Sequence, residues 1–152
     1  MKLTQKNFNR ILNDNYSFEN NPIISVAVSG GPDSMCLLFL LMQWCKKING
    51  KLIVLIINHN LRKNSLVEVK SLGEYLKKNK INFQILSVKK NKIKKRNMSE
   101  ARENRYKLLI NFCKKNNILH LFVGHQKEDN IETFITRKIS GSDFDGLQSI
   151  KL

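Results

Sequence analysis

Four short, almost wholly apolar runs, each followed by a stretch long enough for a helix, constrain this chain more than any other feature. They cover residues 23–28, 52–57, 83–88 and 119–123. A strand with one wet face alternates apolar and polar residues, whereas a strand buried on both faces has no such alternation. The intervening segments carry helix signals. Residues 34 to about 47 are apolar on nearly every side until their last turn, and Asn49-Gly50 follows as a stop. Ser65 and Glu68 have capping-box spacing ahead of a stripe of Val69, Leu72 and Leu76. Ser99 is placed to cap a helix reaching about residue 116, with Ala101, Leu108, Leu109 and Phe112 inward. A last helix is expected from about Asp129, with Ile131, Phe134, Ile135 and Ile139 on one face. The expected fold is α/β: a parallel, Rossmann-like sheet with helices on both faces. The first 20 residues read as an amphipathic helix and linker, with Phe8, Ile11 and Leu12 as its apolar side. Residues 21–152 then form one domain, since 152 residues are enough for a single core.

The charge balance narrows the partners. Lys and Arg number 27 against 12 Asp and Glu, a formal +15, and such a surplus attracts polyanions. Nucleic acid is the macromolecular partner this favours. A lysine- and asparagine-rich composition arising from base bias is the other explanation. Cys36, Cys45 and Cys113 form no C-x-x-C pair, which argues against a disulfide framework or a zinc or iron–sulfur site. Cys36 and Cys45 sit among apolar residues and are expected to be small core side chains. No apolar run approaches the length of a membrane span, and the N-terminus lacks the apolar core of a secretory signal. No membrane association is expected.

The chemistry is expected at Ser29-Gly30-Gly31-Pro32-Asp33-Ser34. A buried strand, a Gly-Gly turn and a helix start present backbone N–H groups and the positive end of a helix dipole to an anion. The glycines allow close approach and positive φ, and Ser29 and Ser34 add hydroxyl donors. Asp33 is the discordant member, because a carboxylate beside a polyphosphate is repulsive unless a cation lies between them. It is therefore assigned to Mg²⁺.

The whole string resembles the PP-loop of the N-type ATP pyrophosphatases, and it lacks the G-K-[ST] ending of a Walker loop. The resemblance implies ATP cleaved between its α and β phosphates to adenylate a substrate carbonyl. Three further segments narrow it. Asn58-His59-Asn60-Leu61-Arg62 is similar to the D-H-x-L-R segment of tRNA(Ile)-lysidine synthases, with Asn58 where that family has Asp. Ala101-Arg102-Glu103-Asn104-Arg105-Tyr106 resembles their A-R-x-x-R-Y helix, in which Arg102 and Arg105, three apart, share a face as a phosphate clamp. Gly124 to Thr133 resembles their G-H-x-x-D-D-x-x-E-T motif, with Glu128 in place of the first Asp. Its Asp129 and Glu132 converge at a helix start. Such a pair can hold a metal, bind an ammonium group or take a proton from an amine, and taken alone it also suits helix-dipole complementation. A looser match to the family's glycine-rich tail runs through residues 137–147.

The resemblance implies conversion of the wobble cytidine of an isoleucine tRNA to lysidine, using ATP, Mg²⁺ and L-lysine. Under it, residues 29–34 grip ATP, Asp33 holds Mg²⁺, and Arg105 faces phosphate charge. Asp129 and Glu132 serve lysine placement or metal, and His59, Arg62 and His125 support the nucleotide site. The basic segment 89–96 is a candidate contact for the tRNA backbone. A bacterial cytoplasm, or an organelle of bacterial origin, is the implied compartment. Members of that family continue into helical and C-terminal domains, so the chain is expected to be their N-terminal part. The rival expectations are an ATP-binding module with no activity of its own, and a related tRNA thiolase.

Overall fold

A computed structural model describes residues 3–58, 65–87 and 98–124. Within them the order is α1 (Gln5–Asn15), β1 (Ile23–Ala27), α2 (Pro32–Lys47), β2 (Lys51–Asn58), α3 (Ser65–Lys78), β3 (Phe83–Ser87), α4 (Met98–Lys115) and β4 (His120–Val123). The strands form one parallel sheet in the order β3-β2-β1-β4. The chain builds outward from β1 to β3, then crosses to the other side of β1 for β4. The strand order therefore reverses between β1 and β4, and ligands of open α/β sheets collect at the carboxyl end of such a switch point.

The expected α/β architecture, with helices on both faces, is present. On one face Ile24, Val26, Val54, Ile56 and Phe122 are buried beneath Phe8 and Leu12 of α1, Leu38, Leu41 and Trp44 of α2, and Leu76 of α3. On the other, Leu55, Leu121 and Val123 pack against Leu109 and Cys113 of α4. Alternate residues of one strand thus serve different cores, which is why β1, β2 and β4 carry no polar alternation.

Thr4 caps α1 by accepting a hydrogen bond from the N–H of Asn7 at 3.2 Å. The helix is tied to α2 where the Trp44 indole donates to Asn13 Oδ1 at 3.1 Å and Gln5 Nε2 donates to the Leu40 carbonyl at 3.0 Å. Helix α2 ends on Lys46 and Lys47 with Ile48 as its C-cap, and Asn49, at φ 53°, takes the left-handed position. Gly50 has a different reason to be small: a Cβ there would lie 3.2 Å from the Pro22 carbonyl oxygen.

Several local expectations need correction. Cys36 is exposed on α2, because the inward stripe runs through Leu38, Leu41 and Cys45. Cys45 and Cys113 are buried, and burial raises both thiols, Cys45 to about 11. Helix α4 begins at Met98, so Ser99 lies inside it and not at its cap. Leu108 is only half-buried, and Cys113 takes the core place beside Leu109. Strand β3 stands at a sheet edge among the described residues and leaves Ile85 43% exposed. The side chains of Ser65 and Ala101, and the helix expected from Asp129, lie outside the described residues.

One long-range tie had no local signal. His120, at the start of β4, is buried, and its Nε2 lies 2.5 Å from Glu19 Oε2 in the segment between α1 and β1. Phe18 packs against both His120 and Trp44, with ring centroids 4.7 and 4.6 Å apart. Burial pushes the Glu19 carboxyl up, but its hydrogen bond to His120 and the adjacent backbone bonds outweigh this, and the net direction is down.

Candidate nucleotide site

The turn after β1 sits at the switch point. Val28 continues the strand with one more ladder bond, its N–H donating to Leu55 O at 2.9 Å. Gly30 then takes φ +86°, a region that L side chains avoid, and Gly31 becomes the N-cap of α2 with Pro32 at the first helical position. No side chain caps this helix. The first-turn N–H groups of Asp33 and Ser34 emerge at the helix end, where the dipole is positive.

Ser34 organises the turn. Its hydroxyl donates to the Gly31 carbonyl at 3.0 Å, accepts from the Ser29 N–H at 3.2 Å, and lies 3.2 Å from Ser29 Oγ. Ser34 is buried, whereas Ser29, Pro32 and Asp33 are exposed. The loop is thus stapled from inside, while its outward groups remain open to a ligand.

The carboxyl end of β4 closes against this turn. A Cβ on Gly124 would lie 3.4 Å from Ser34 Cα and 3.5 Å from Ser34 N. That approach follows from the register, which sets Ala27 of β1 beside Val123 of β4. A β-carbon there would just touch the start of α2 at ordinary contact distance, so a larger side chain would press on the turn.

A cleft of about 250 Å³ opens here. Ser29, Ser34 and Gly124 form one side, Arg105 of α4 another, and Val69 and Leu72 of α3 an apolar wall with the ends of β1 and β2. Arg105 is half-buried, with its guanidinium carbon 5.5 Å from the Tyr106 ring centroid. The cleft therefore combines a helix N-terminus, hydroxyls, one guanidinium and an apolar wall, a combination suited to a nucleotide.

Of the expected site residues, Ser29, Ser34 and Arg105 line one cleft, and Gly30, Gly31, Pro32 and Asp33 belong to the same turn. Asn58 is buried as the last residue of β2. His59, Arg62, His125, Asp129 and Glu132 lie outside the described residues, as do the side chain of Arg102 and the segments 89–96 and 137–147. Glu68, Val69, Leu72 and Gly124 also border the cleft. No local pattern marks Glu68 or Leu72 as cleft residues, because only the packing of α3 on the sheet brings them there.

For Mg²⁺ the donor set is small. Asp33 offers one exposed carboxylate beside the anion-facing turn, and among the described residues no group of three His, Cys, Asp or Glu side chains is placed to hold a metal. One carboxylate together with substrate phosphates and water is an ordinary magnesium environment, so the residues fit.

A parallel α/β sheet with a glycine turn and a helix start at its switch point defines a nucleotide-binding domain. The model of the PP-loop domain, an ATP-binding family, matches residues 1–152, and the chain belongs to that family. It is 43% identical to the tRNA(Ile)-lysidine synthase of Wolbachia pipientis wMel over 94% of its own length and 33% of the relative's. It is 37% identical to the enzyme so named from Orientia tsutsugamushi over 88% of its length and 30% of the relative's. The chain thus spans about a third of the length of these curated relatives. Among solved structures, the U34-tRNA thiolase NcsA from Methanococcus maripaludis, described with its 4Fe-4S cluster, superposes with a TM-score of 0.68. That match has 22% identity and covers 82% of this chain and 46% of that one, a likeness of fold.

Proposed function

We propose that this chain is the ATP pyrophosphatase domain of a tRNA(Ile)-lysidine synthase, with residues 21–152 as that domain and residues 1–20 as a helix and linker preceding it. The observation that carries the reading is one cleft bordered by the turn after β1, the end of β4 and Arg105. Sequence similarity to relatives bearing that name supports the choice of substrate.

In this reading the turn of Ser29, Gly30, Gly31, Pro32, Asp33 and Ser34 receives the phosphates of ATP, and the apolar wall of Val69 and Leu72 faces the base. The C2 oxygen of the wobble cytidine attacks the α-phosphorus, and the bond to the β-phosphate breaks, releasing pyrophosphate. The amine of L-lysine then attacks C2, and AMP leaves with the former carbonyl oxygen. C2 of cytosine is a poor electrophile, and the adenylate supplies the leaving group it lacks. Arg105 stabilises charge that grows on the phosphates. Asp33 would hold Mg²⁺, which supplies charge neutralisation at the phosphates when bound. Asp129 and Glu132 hold the lysine ammonium, take the proton its amine releases, or contribute to metal binding. His59, Arg62 and His125 complete the nucleotide site. The cytoplasm is the proposed compartment, and among the described residues no helix is long and apolar enough to cross a membrane.

The test follows labelled lysine into isoleucine tRNA, alongside tRNA-dependent exchange of pyrophosphate into ATP. The reading expects both activities in the wild-type chain, and Asp33→Ala to lower each by about a hundredfold or more, the scale of losing one transition-state electrostatic contact. ATP binding with neither activity would leave only the nucleotide-binding module.

A further inference from the structure

The three helices that link consecutive strands end alike. Lys46-Lys47 close α2, Lys77-Lys78 close α3, and Lys114-Lys115 close α4. Each pair is followed, two residues after its second lysine, by a residue in the left-handed conformation: Asn49 at φ 53°, Lys80 at 56° and Asn117 at 53°. Each chain then returns through Gly50, Ile81 or Ile118, whose N–H bonds back to the carbonyl of Cys45, Leu76 or Cys113 at 2.8 to 2.9 Å. In a parallel sheet every crossover helix runs against the strands, so all three endings fall at the amino end of the sheet, opposite the nucleotide cleft. The register agrees, since Ile23 of β1 pairs with Lys51 and Ile24 with His120.

All six paired lysines are exposed, and among the described residues none is in an ion pair. Lys51 and Lys80 extend the same surface. Among the described residues the carboxylates near this end are Asp14, near the end of α1, Glu19, which is already bonded to His120, and Glu74, one turn before Lys77-Lys78 on α3. Four strands spaced by ~4.8 Å make this edge about 15 Å wide, so the pairs stand within reach of one extended chain of phosphates. A lysine in a last turn is ordinary complementation of the helix dipole. Six paired lysines against three nearby carboxylates among the described residues exceed that need and repel one another, and a polyanion relieves the repulsion. Four asparagines, Asn49, Asn79, Asn116 and Asn117, are exposed beside the pairs. The amides of Asn79 and Asn116 each donate to a carbonyl one turn back, Tyr75 and Phe112, at 2.8 Å, and asparagine is a side chain that also serves phosphate and sugar oxygens. A membrane-binding surface would instead interleave its lysines with Leu, Phe or Trp.

We infer that the three Lys-Lys helix ends form a binding surface for a nucleic-acid phosphate backbone, at the end of the sheet opposite the nucleotide cleft. This surface stands whether or not the chain makes lysidine, because it shares no residue with the cleft.

The experiment measures binding of a labelled single-stranded RNA, and of DNA of the same sequence, by fluorescence anisotropy across a salt series. Wild type is compared with a chain carrying Gln at the six paired lysines, and with one carrying Gln at Lys89, Lys90, Lys92, Lys94, Lys95 and Arg96. Gln at the six paired lysines is expected to weaken RNA binding by tenfold or more near 0.1 M salt and to flatten the salt dependence by about two to four in log–log slope. Arg at the same six positions is expected to restore both, with thermal melting showing every variant folded. Saturating ATP should leave the wild-type affinity unchanged. Equal loss with DNA supports backbone recognition of either polymer. Wild-type affinity and slope in the six-Gln chain would overturn the inference, as would wild-type binding to phosphatidylserine vesicles in preference to RNA.

Discussion

Ser34 and Gly124 hold the candidate site together at the level of single atoms. The Ser34 hydroxyl bridges the Gly31 carbonyl and the Ser29 N–H. Ser34→Ala leaves that donor without its acceptor and should cost about 1 kcal/mol of stability by urea unfolding, with a larger proportional loss of ATP affinity, since the loop loses its shape. Gly124→Val should act differently. Its β-carbon would already be in contact with Ser34 Cα at 3.4 Å, and the two added methyls crowd the turn from the β4 side; calorimetry should find ATP affinity reduced about tenfold while the far-UV spectrum remains helical. Gly30 belongs to the same class, because a side chain at φ +86° costs about 1 to 2 kcal/mol. The turn was legible in the sequence because its signals are adjacent: apolar strand, two glycines, proline, helix. The contributions of Gly124 and Glu68 were not, since they depend on strand register and on how α3 settles against the sheet.

At the level of elements, the strands and helices were legible wherever burial was complete. Four apolar runs became four strands, with ends shifted by a residue. Departures arose where two signals compete. Asn49-Gly50 reads as a stop, yet the left-handed residue is Asn49, and Gly50 is kept small by Pro22. Cys36 has apolar neighbours in sequence, but helical geometry turns it outward. Helix α2 is the centre of its layer, and Trp44, 1% exposed and bonded to Asn13, joins it to α1. Trp44→Ala should therefore destabilise the fold by about 3 to 5 kcal/mol in chemical denaturation.

The Glu19–His120 tie links residues far apart in sequence, which is why no local pattern announced it. Because the folded carboxyl lies below its ordinary value of 4.5, ionised Glu19 stabilises the native state above that pH, and the contribution fades as pH falls through the folded value. The urea midpoint of Glu19→Gln should therefore lie below wild type near neutrality, and the two should converge as acidification protonates the folded carboxyl. A gap that stays constant down to acid pH would contradict this pairing.

Across the whole molecule, the two ends of the sheet carry opposite tasks. The carboxyl end gathers a helix N-terminus, hydroxyls and Arg105 around one cleft, and the amino end gathers the lysine pairs. The formal +15 is thus concentrated in part where the fold points every crossover helix. The central claim is that the turn after β1 binds the phosphates of ATP, and calorimetric titration of the purified chain with ATP and Mg²⁺ tests it most directly. The account predicts saturable one-to-one binding that is weakened at least tenfold in Gly30→Val. It is contradicted if wild type shows no heat of binding, or if Gly30→Val binds ATP as tightly as wild type.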